Sequence, residues 1–262
     1  MLEPLAARYA TWLGLPAQST ASMLDPASRS SGDTTDEDPA TVRAMPIVLR
    51  IERQDPAPRT ALLEAAATAA LAVCLAPEAQ PEGEWHDEVR AWVDGRIRKV
   101  SRRARGAHWD AIQDLPGITV THDGAEVRAL VPGLVAESPR VLSRLQISGS
   151  ELPEDNPGPP PGDRPVLWLN PKIEMTVGKA AAQVGHATMI GAALLPPEDL
   201  ARWSEQDYAC AVRTATPADW AELLPGPDPA LAWRERRVAA VRDAGFTEVA
   251  PGTVTVLFSW PH

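Results

Sequence analysis

Three side chains able to act on a polar bond stand at helical spacing in the run Gly178-Lys179-Ala180-Ala181-Ala182-Gln183-Val184-Gly185-His186. Residues i, i+4 and i+7 of a helix share one face, so Lys179, Gln183 and His186 present an ammonium, an amide and an imidazole side by side. They fall near the helix start, where aligned peptide dipoles leave a positive potential that favours a phosphate or a developing oxyanion. The competing account of the same residues is an ordinary packed helix with a satisfied histidine. A P-loop is excluded, because Ile173 stands where its first glycine belongs and Ala180 follows Lys179 where Ser or Thr is required.

A second polar group lies at Asp243-Ala244-Gly245-Phe246-Thr247 and continues through Pro251-Gly252-Thr253-Val254-Thr255. An acid at a helix end, a glycine that permits reversal and the hydroxyls of Thr247 and Thr255 describe a polar loop feeding a buried strand. Taken singly, these are the parts of any helix end and hairpin. Cys74 and Cys210 are solitary, which excludes a disulfide framework, a zinc ribbon and a CxxC redox site, and fits a reducing cytoplasm.

The elements that must position these groups alternate between strand and helix. In the second half, VLWLN is a strand and GKAAAQVGHATMIGAALL a helix that must stop by Leu195, since Pro196 cannot continue the hydrogen-bond ladder. DYACAVRT reads as the next strand, followed by a short helix capped by Thr216 with Pro217 at its first position. ALAWRERRVAAVRDAG reads as a further helix closing at Gly245, and VTVLFSW as the last strand.

The first half repeats this order. Val48-Leu49-Arg50 precedes an alanine-rich helix from about Thr60, as Leu167-Trp168-Leu169 precedes the one from about Lys179, at an offset of 119. Trp92 and Trp109 are 17 residues apart, as are Trp203 and Trp220, at an offset of 111; a longer loop around Pro77 to Trp85 accounts for the change. Pro-Gly turns follow at Pro116-Gly117 and Pro225-Gly226, and both halves end in β-rich segments. The expected fold is therefore α/β, a small mixed four-stranded sheet flanked by helices, duplicated as a pseudo-dimer. The boundaries are an optional or disordered extension over 1–44, a degenerate α/β domain over 45–135, a Pro-rich linker over 136–165 and the second domain over 166–262. Met45, which opens the first strand MPIVLRIE, is an alternative start of translation.

The chain has 262 residues and a net charge of −10, awkward for nucleic-acid binding, which draws its affinity from cations on phosphates. That charge is uneven: residues 1–163 hold 24 acids and 16 bases, and residues 164–262 hold 11 and 9. No run approaches the ~18 apolar residues of a membrane span, and residues 1–20 lack the basic start of a secretion signal, so a soluble, cytoplasmic protein without a membrane partner is expected.

Together the two polar groups resemble the signature of the type 2 peptidyl-tRNA hydrolases, Met-x-x-Gly-Lys-x-Ala-Ala-Gln-x-x-His-Ala followed by Asp-Ala-Gly-x-Thr-x-x-x-x-Gly-x-x-Thr. Here the first reads from Met175 to Ala187 and the second from Asp243 to Thr255, both without gaps. The resemblance covers about 166–262. It implies hydrolysis of the ester between a peptide and the 3′ ribose of tRNA, with no metal or other cofactor. It also implies a catalytic set of Lys179, Asp243, Thr247 and Thr255 with His186 nearby. Such an ester needs a polarised water, oxyanion stabilisation and an anchor for the tRNA end. Lys179 would serve the oxyanion or a phosphate, Asp243 would orient or deprotonate water, and Thr247 and Thr255 would hold them. His186 would carry a proton or position the helix. Gly178, Gln183 and Gly252 would line the substrate site. No Ser-His-Asp or Cys-His nucleophile is visible, which leaves a directly attacking water.

Asn170-Pro171-Lys172-Ile173 replaces the family's usual Arg-Thr-Asp-Leu, Phe246 stands where a polar residue is common, and Glu248 where glutamine is usual. The first half lacks the set, with Thr60, Glu64 and Ala67 at the positions of Lys179, Gln183 and His186, so it is a silent copy. It does carry RIRKVSRRAR, in which Arg98, Arg102 and Arg103 are candidates for tRNA phosphates; the competing account is a solvated face that offsets nearby acids. The partner expected is tRNA rather than DNA, with a homo-oligomer or an intramolecular pseudo-dimer as the assembly. The rival functions are a non-catalytic tRNA-binding or adaptor protein and a hydrolase for another ester or amide.

Overall fold

The computed structural model describes residues 1–13, 38–147, 151–243, 249–250 and 252–261. Of the expectations above, most of the Ser/Thr/Asp-rich stretch around 16–38, together with Thr247, Phe246 and Glu248, lies outside the described residues. Helix α1 (Glu3–Leu13) is followed by strand β1 (Arg43–Arg50), helices α2 (Arg59–Leu75) and α3 (His86–Asp94), and strand β2 (Lys99–Ala104). Next come α4 (Ala107–Ile112), β3 (Gly117–His122), β4 (Ala125–Leu130), β5 (Gly133–Leu134) and α5 (Arg140–Ser143). The second half holds β6 (Val166–Leu169), α6 (Val177–Leu194), α7 (Pro197–Ser204), β7 (Ala211–Thr214), α8 (Pro217–Leu223), α9 (Pro229–Arg236), β8 (Val238–Arg242) and β9 (Val254–Ser259).

Two mixed sheets result, ordered β2-β1-β4-β3 and β7-β6-β9-β8, with β5 added beside β1. In each, the first strand pairs parallel with the second and antiparallel with the fourth, and the third pairs antiparallel with the fourth. The tryptophans follow the same correspondence: Trp92 Nε1 donates to the carbonyl of Arg98 at 2.9 Å, and Trp203 Nε1 to that of Ala209 at 2.7 Å, each six residues on. Strand alternation divides the core into three. Ile47, Leu49, Leu167, Leu169, Val256 and Phe258 face a central cluster that includes α2 and α6. Val48 faces a smaller cluster around Trp109, and Leu257 one around Trp220.

Helices α2 and α6 are buried on nearly every side, which explains why alanine and glycine replace the usual amphipathic stripe. They pack against each other as well as on their own sheets: Thr188 Oγ1 donates to the carbonyl of Ala67 at 2.9 Å, and a Cβ on Gly185 would lie 3.0 Å from Cβ of Ala70. The stretch 1–44, read above as an optional or disordered extension, instead opens with Met1 and Leu2 leading into helix α1, and these two apolar residues and Leu5 are buried in the same cluster. The Pro-rich stretch lies along the surface, where Asp155 Oδ1 accepts from N and Oγ1 of Thr60 and so caps α2, which has no capping side chain of its own.

In the second half, two element boundaries differ from the sequence reading. The strand expected from Asp207 begins at Ala211, since Asp207 and Tyr208 take φ of 51° and 56°, left-handed values that a strand does not hold. The helix expected to run to Gly245 ends at Arg236; Arg237 is left-handed, and Val238–Arg242 form edge strand β8. Val238 and Ala240 face the Trp220 cluster and Ala239 and Val241 the central one, so all four are buried and apolar, and alternation leaves no mark in the sequence.

Gly191 on α6 fits against Phe258, whose ring would stand 2.2 Å from a Cβ at this position and is held among Trp203, Trp233 and Trp260. Overpacking of about 1–3 kcal/mol should outweigh the ~1 kcal/mol that alanine gains in helix propensity. Gly191→Ala should therefore lower the urea midpoint without changing the m-value; a raised midpoint would show that the ring can yield.

Candidate active site

The centre forms where α6 begins. Thr176 is its N-cap, its Oγ1 accepting from the Lys179 amide at 3.2 Å, and Lys179 lies in the first turn. Asp243 follows β8, fixed by a bond from its amide to the carbonyl of Thr253 at 2.9 Å and by the Gly252 amide donating to its own carbonyl at 2.7 Å. Gly252, at φ 79°, takes the left-handed turn that this closure requires. Sixty-four positions apart in sequence, Lys179 Nζ and Asp243 Oδ2 form an ion pair. Gln183 Nε2 donates to the same carboxylate oxygen at 2.9 Å, while Gln183 Oε1 accepts from Thr255 Oγ1.

The result is a chain of ammonium, carboxylate, amide and hydroxyl, in which Gln183 orients Asp243 on one side and reads Thr255 on the other. Asp243 is 5% exposed, Gln183 4% and Thr255 0%, so these polar atoms are satisfied by one another. Asn170 supports the arrangement from behind: its Nδ2 donates to the carbonyl of Val254 at 2.8 Å, and its amide to that of Thr255 at 3.0 Å. Its type was visible in the sequence, but not this use, which fastens the start of β9 to the end of β6.

His186 takes another direction. Its Nδ1 meets Lys99 Nζ of β2 at 3.1 Å. Burial, then the positive charges of Lys99 and Lys179, hold the imidazole well below its usual value. No hydrogen bond among the described residues joins it to Asp243. Gly178 is also met by the first half: its carbonyl accepts from Ser101 Oγ at 2.7 Å, and a Cβ here would stand 3.3 Å from that of Ser101. Arg59 Nη2 reaches the carbonyl of Met175, just ahead of the helix. Ser101 and Arg59 escaped the sequence reading and Lys99 entered it only as one cation of the run RIRKVSRRAR, because these contacts join positions 77 to 116 apart and no local pattern marks them.

The cationic run occupies β2, an edge strand, and its side chains divide between two faces. Lys99 and Ser101 point toward α6, and by alternation Arg103 shares their face. Arg102 turns the other way, donating to the carbonyl of Leu145 at 2.9 Å, with burial pulling its guanidinium down from the usual value. Arg103 Nε bonds Gln146 Oε1 at 2.8 Å. Arg98 bears on the strand through its carbonyl, which accepts from Met45 and Trp92.

The arrangement puts a carboxylate beside an ammonium at the positive end of an 18-residue helix, the components for orienting a water and stabilising an oxyanion. Among the described residues, no His, Cys, Asp and Glu side chains cluster in a way that could hold a metal, and no helix is long and apolar enough to cross a membrane. An α/β unit with a mixed four-stranded sheet and a polar centre at the first turn of its buried helix thus occupies the second half. Residues 164–262 match the family model described as Peptidyl-tRNA hydrolase PTH2, and that part of the chain is accordingly similar to the peptidyl-tRNA hydrolases.

With Asp243 so little exposed, removing only its cation leaves a poorly compensated buried charge. Lys179→Met should cost about 3–5 kcal/mol. Adding Asp243→Leu should recover much of that, giving a non-additive double-mutant cycle in urea denaturation. Additive losses would mean that the two groups are not coupled.

Proposed function

We propose that residues 166–262 form a peptidyl-tRNA hydrolase that cleaves the ester between a peptide and the 3′ ribose of tRNA, by attack of a water that Asp243 orients or deprotonates. The observation that carries this reading is the Lys179–Asp243 pair at the start of α6, within the segment that matches the hydrolase family. Lys179 acts on the oxyanion or a phosphate. Thr255, through Gln183, holds Asp243, and Thr247 belongs to the same set through the motif alone. His186 and the substrate-lining Gly178, Gln183 and Gly252 complete it. A cytoplasmic setting follows from that substrate.

Residues 45–135 serve as a silent companion, joined by the linker 136–165 into an intramolecular pseudo-dimer; the shared strand order and the repeated Trp92 and Trp203 bonds support duplication. Arg98, Arg102 and Arg103 add positive potential on the strand next to α6, and Arg103, on the face of Ser101, is best disposed toward tRNA phosphates. The deep burial of Asp243 favours one rival, a protein that binds tRNA without turnover.

Release of peptide from purified peptidyl-tRNA separates the two. Lys179→Ala and Asp243→Ala should each lower kcat by about 10²–10⁴. Arg103→Ala should instead raise KM and flatten its salt dependence. Equal background rates for wild type and the double Lys179→Ala/Asp243→Ala variant, with tRNA binding retained, would favour the adaptor, and turnover of small esters alone would favour a different hydrolase.

A further inference from the structure

We propose that Lys99, contributed by the first unit, is a positioning residue for the second unit's centre: its Nζ donates to Nδ1 of His186 and fixes the imidazole as the neutral tautomer protonated on Nε2. The proposal rests on the hydrolase reading only for what that imidazole does, not for the contact itself. At 3.1 Å, two cations cannot share this site, and an ammonium offers three donors and no lone pair. Nδ1 must then accept, and the ring proton stands on Nε2.

The geometry around the pair is built for this contact. Gly185 makes room for the lysine stem, since a Cβ there would lie 3.1 Å from its Cε and 3.3 Å from its Cδ. Nζ stands 5.1 Å from the ring centroid of Trp92, which is itself tied to Arg98. The titratable groups acting on the pair are Lys179 from α6 and Cys74 from α2, whose thiol burial pushes up to about 12 and so keeps neutral. The chain amino terminus bears in turn on Cys74. Each is neutral or positive, and no carboxylate among them would favour an imidazolium. Burial brings Lys99 down to about 7, so the ammonium form prevails below neutral pH. With Nδ1 engaged, His186 offers its Nε2–H as a donor and is withdrawn from the role of general base, which leaves the proton from water to Asp243.

Two-bond proton–nitrogen correlation spectra of the full ¹⁵N-labelled chain test this directly, with His186→Gln used only to assign the resonance. Between pH 6 and 7 the wild type should show Nδ1 bare and Nε2 protonated, with no titration near the ordinary histidine value. Lys99→Met should leave a mixture of Nδ1–H and Nε2–H tautomers on a ring that burial and Lys179 still hold below its usual value, and Lys99→Gln, which keeps a donor, should restore the wild-type pattern. On peptidyl-tRNA, Lys99→Met should lower kcat about tenfold with KM unchanged, and Lys99→Gln should restore it. A proton on Nδ1, an imidazolium at pH 7, or a spectrum indifferent to Lys99→Met would overturn the proposal. Should Lys99→Met fail to fold, the wild-type spectrum alone decides it. Absence of turnover beside the expected spectrum would overturn the hydrolase reading and leave the contact standing.

Discussion

The close packing of α2 on α6 is the constraint from which the rest follows. Two helices approach at this range only where side chains are small, and the facing surfaces are accordingly alanine and glycine, with Gly185 set against Ala70. The buried hydroxyl of Thr188 finds its acceptor across the gap at the carbonyl of Ala67. Because the helices are thin, each also meets the parallel edge strand of the other unit. Ser101 of β2 reaches the first turn of α6, and the Val212 amide of β7 reaches Glu64 of α2 at 2.9 Å. Neither unit completes the surroundings of its own central helix.

That dependence bears on the energetics of the polar centre. Withdrawing the carboxylate of Asp243 and the ammonium of Lys179 from water costs several kcal/mol per ion, and their attraction repays it only where the remaining polar atoms are bonded. Gln183 and Thr255 provide those bonds, and Asn170 holds the strand that carries Thr255. A group of apolar residues of similar volume would be no less stable. The ion pair is therefore poorly explained by folding alone, and its position at a helix start, where a developing negative charge is favoured, gives it a chemical explanation.

Much of this was legible in the sequence, because it depends on local chemistry. Pro196 stops α6, and Thr216 and Pro217 start α8. The spacing of Lys179 and Gln183 placed both toward Asp243, and the tryptophan offsets anticipated equivalent helices in two sheets of one order. What failed did so where local chemistry is silent. Val238–Arg242 lack polar alternation, so only pairing with β9 makes them a strand. His186 shares a helical face with Lys179, yet it lies two turns along, where the neighbour is Lys99 of the other unit. A helical wheel orders directions around one axis and is blind to what stands opposite each turn.

The corresponding position in the first unit makes the same point from the other side. Glu64 stands where Gln183 does at the offset of 119, but its carboxylate accepts from Val212 and Arg213 of β7 and meets His122 Nε2 at 2.9 Å. Thr60, at the position of Lys179, is spent on Asp155. The charge of Glu64 is thus balanced by an arginine from the second unit and bolts the two units together, whereas the neutral amide of Gln183 leaves the ion pair to Lys179 and Asp243. An amide can accept from Thr255 while donating to Asp243; a carboxylate at 183 could only accept and would repel the acid beside it. One atom of difference between glutamine and glutamate therefore separates a position that can support a cation–carboxylate centre from one that can only hold an interface.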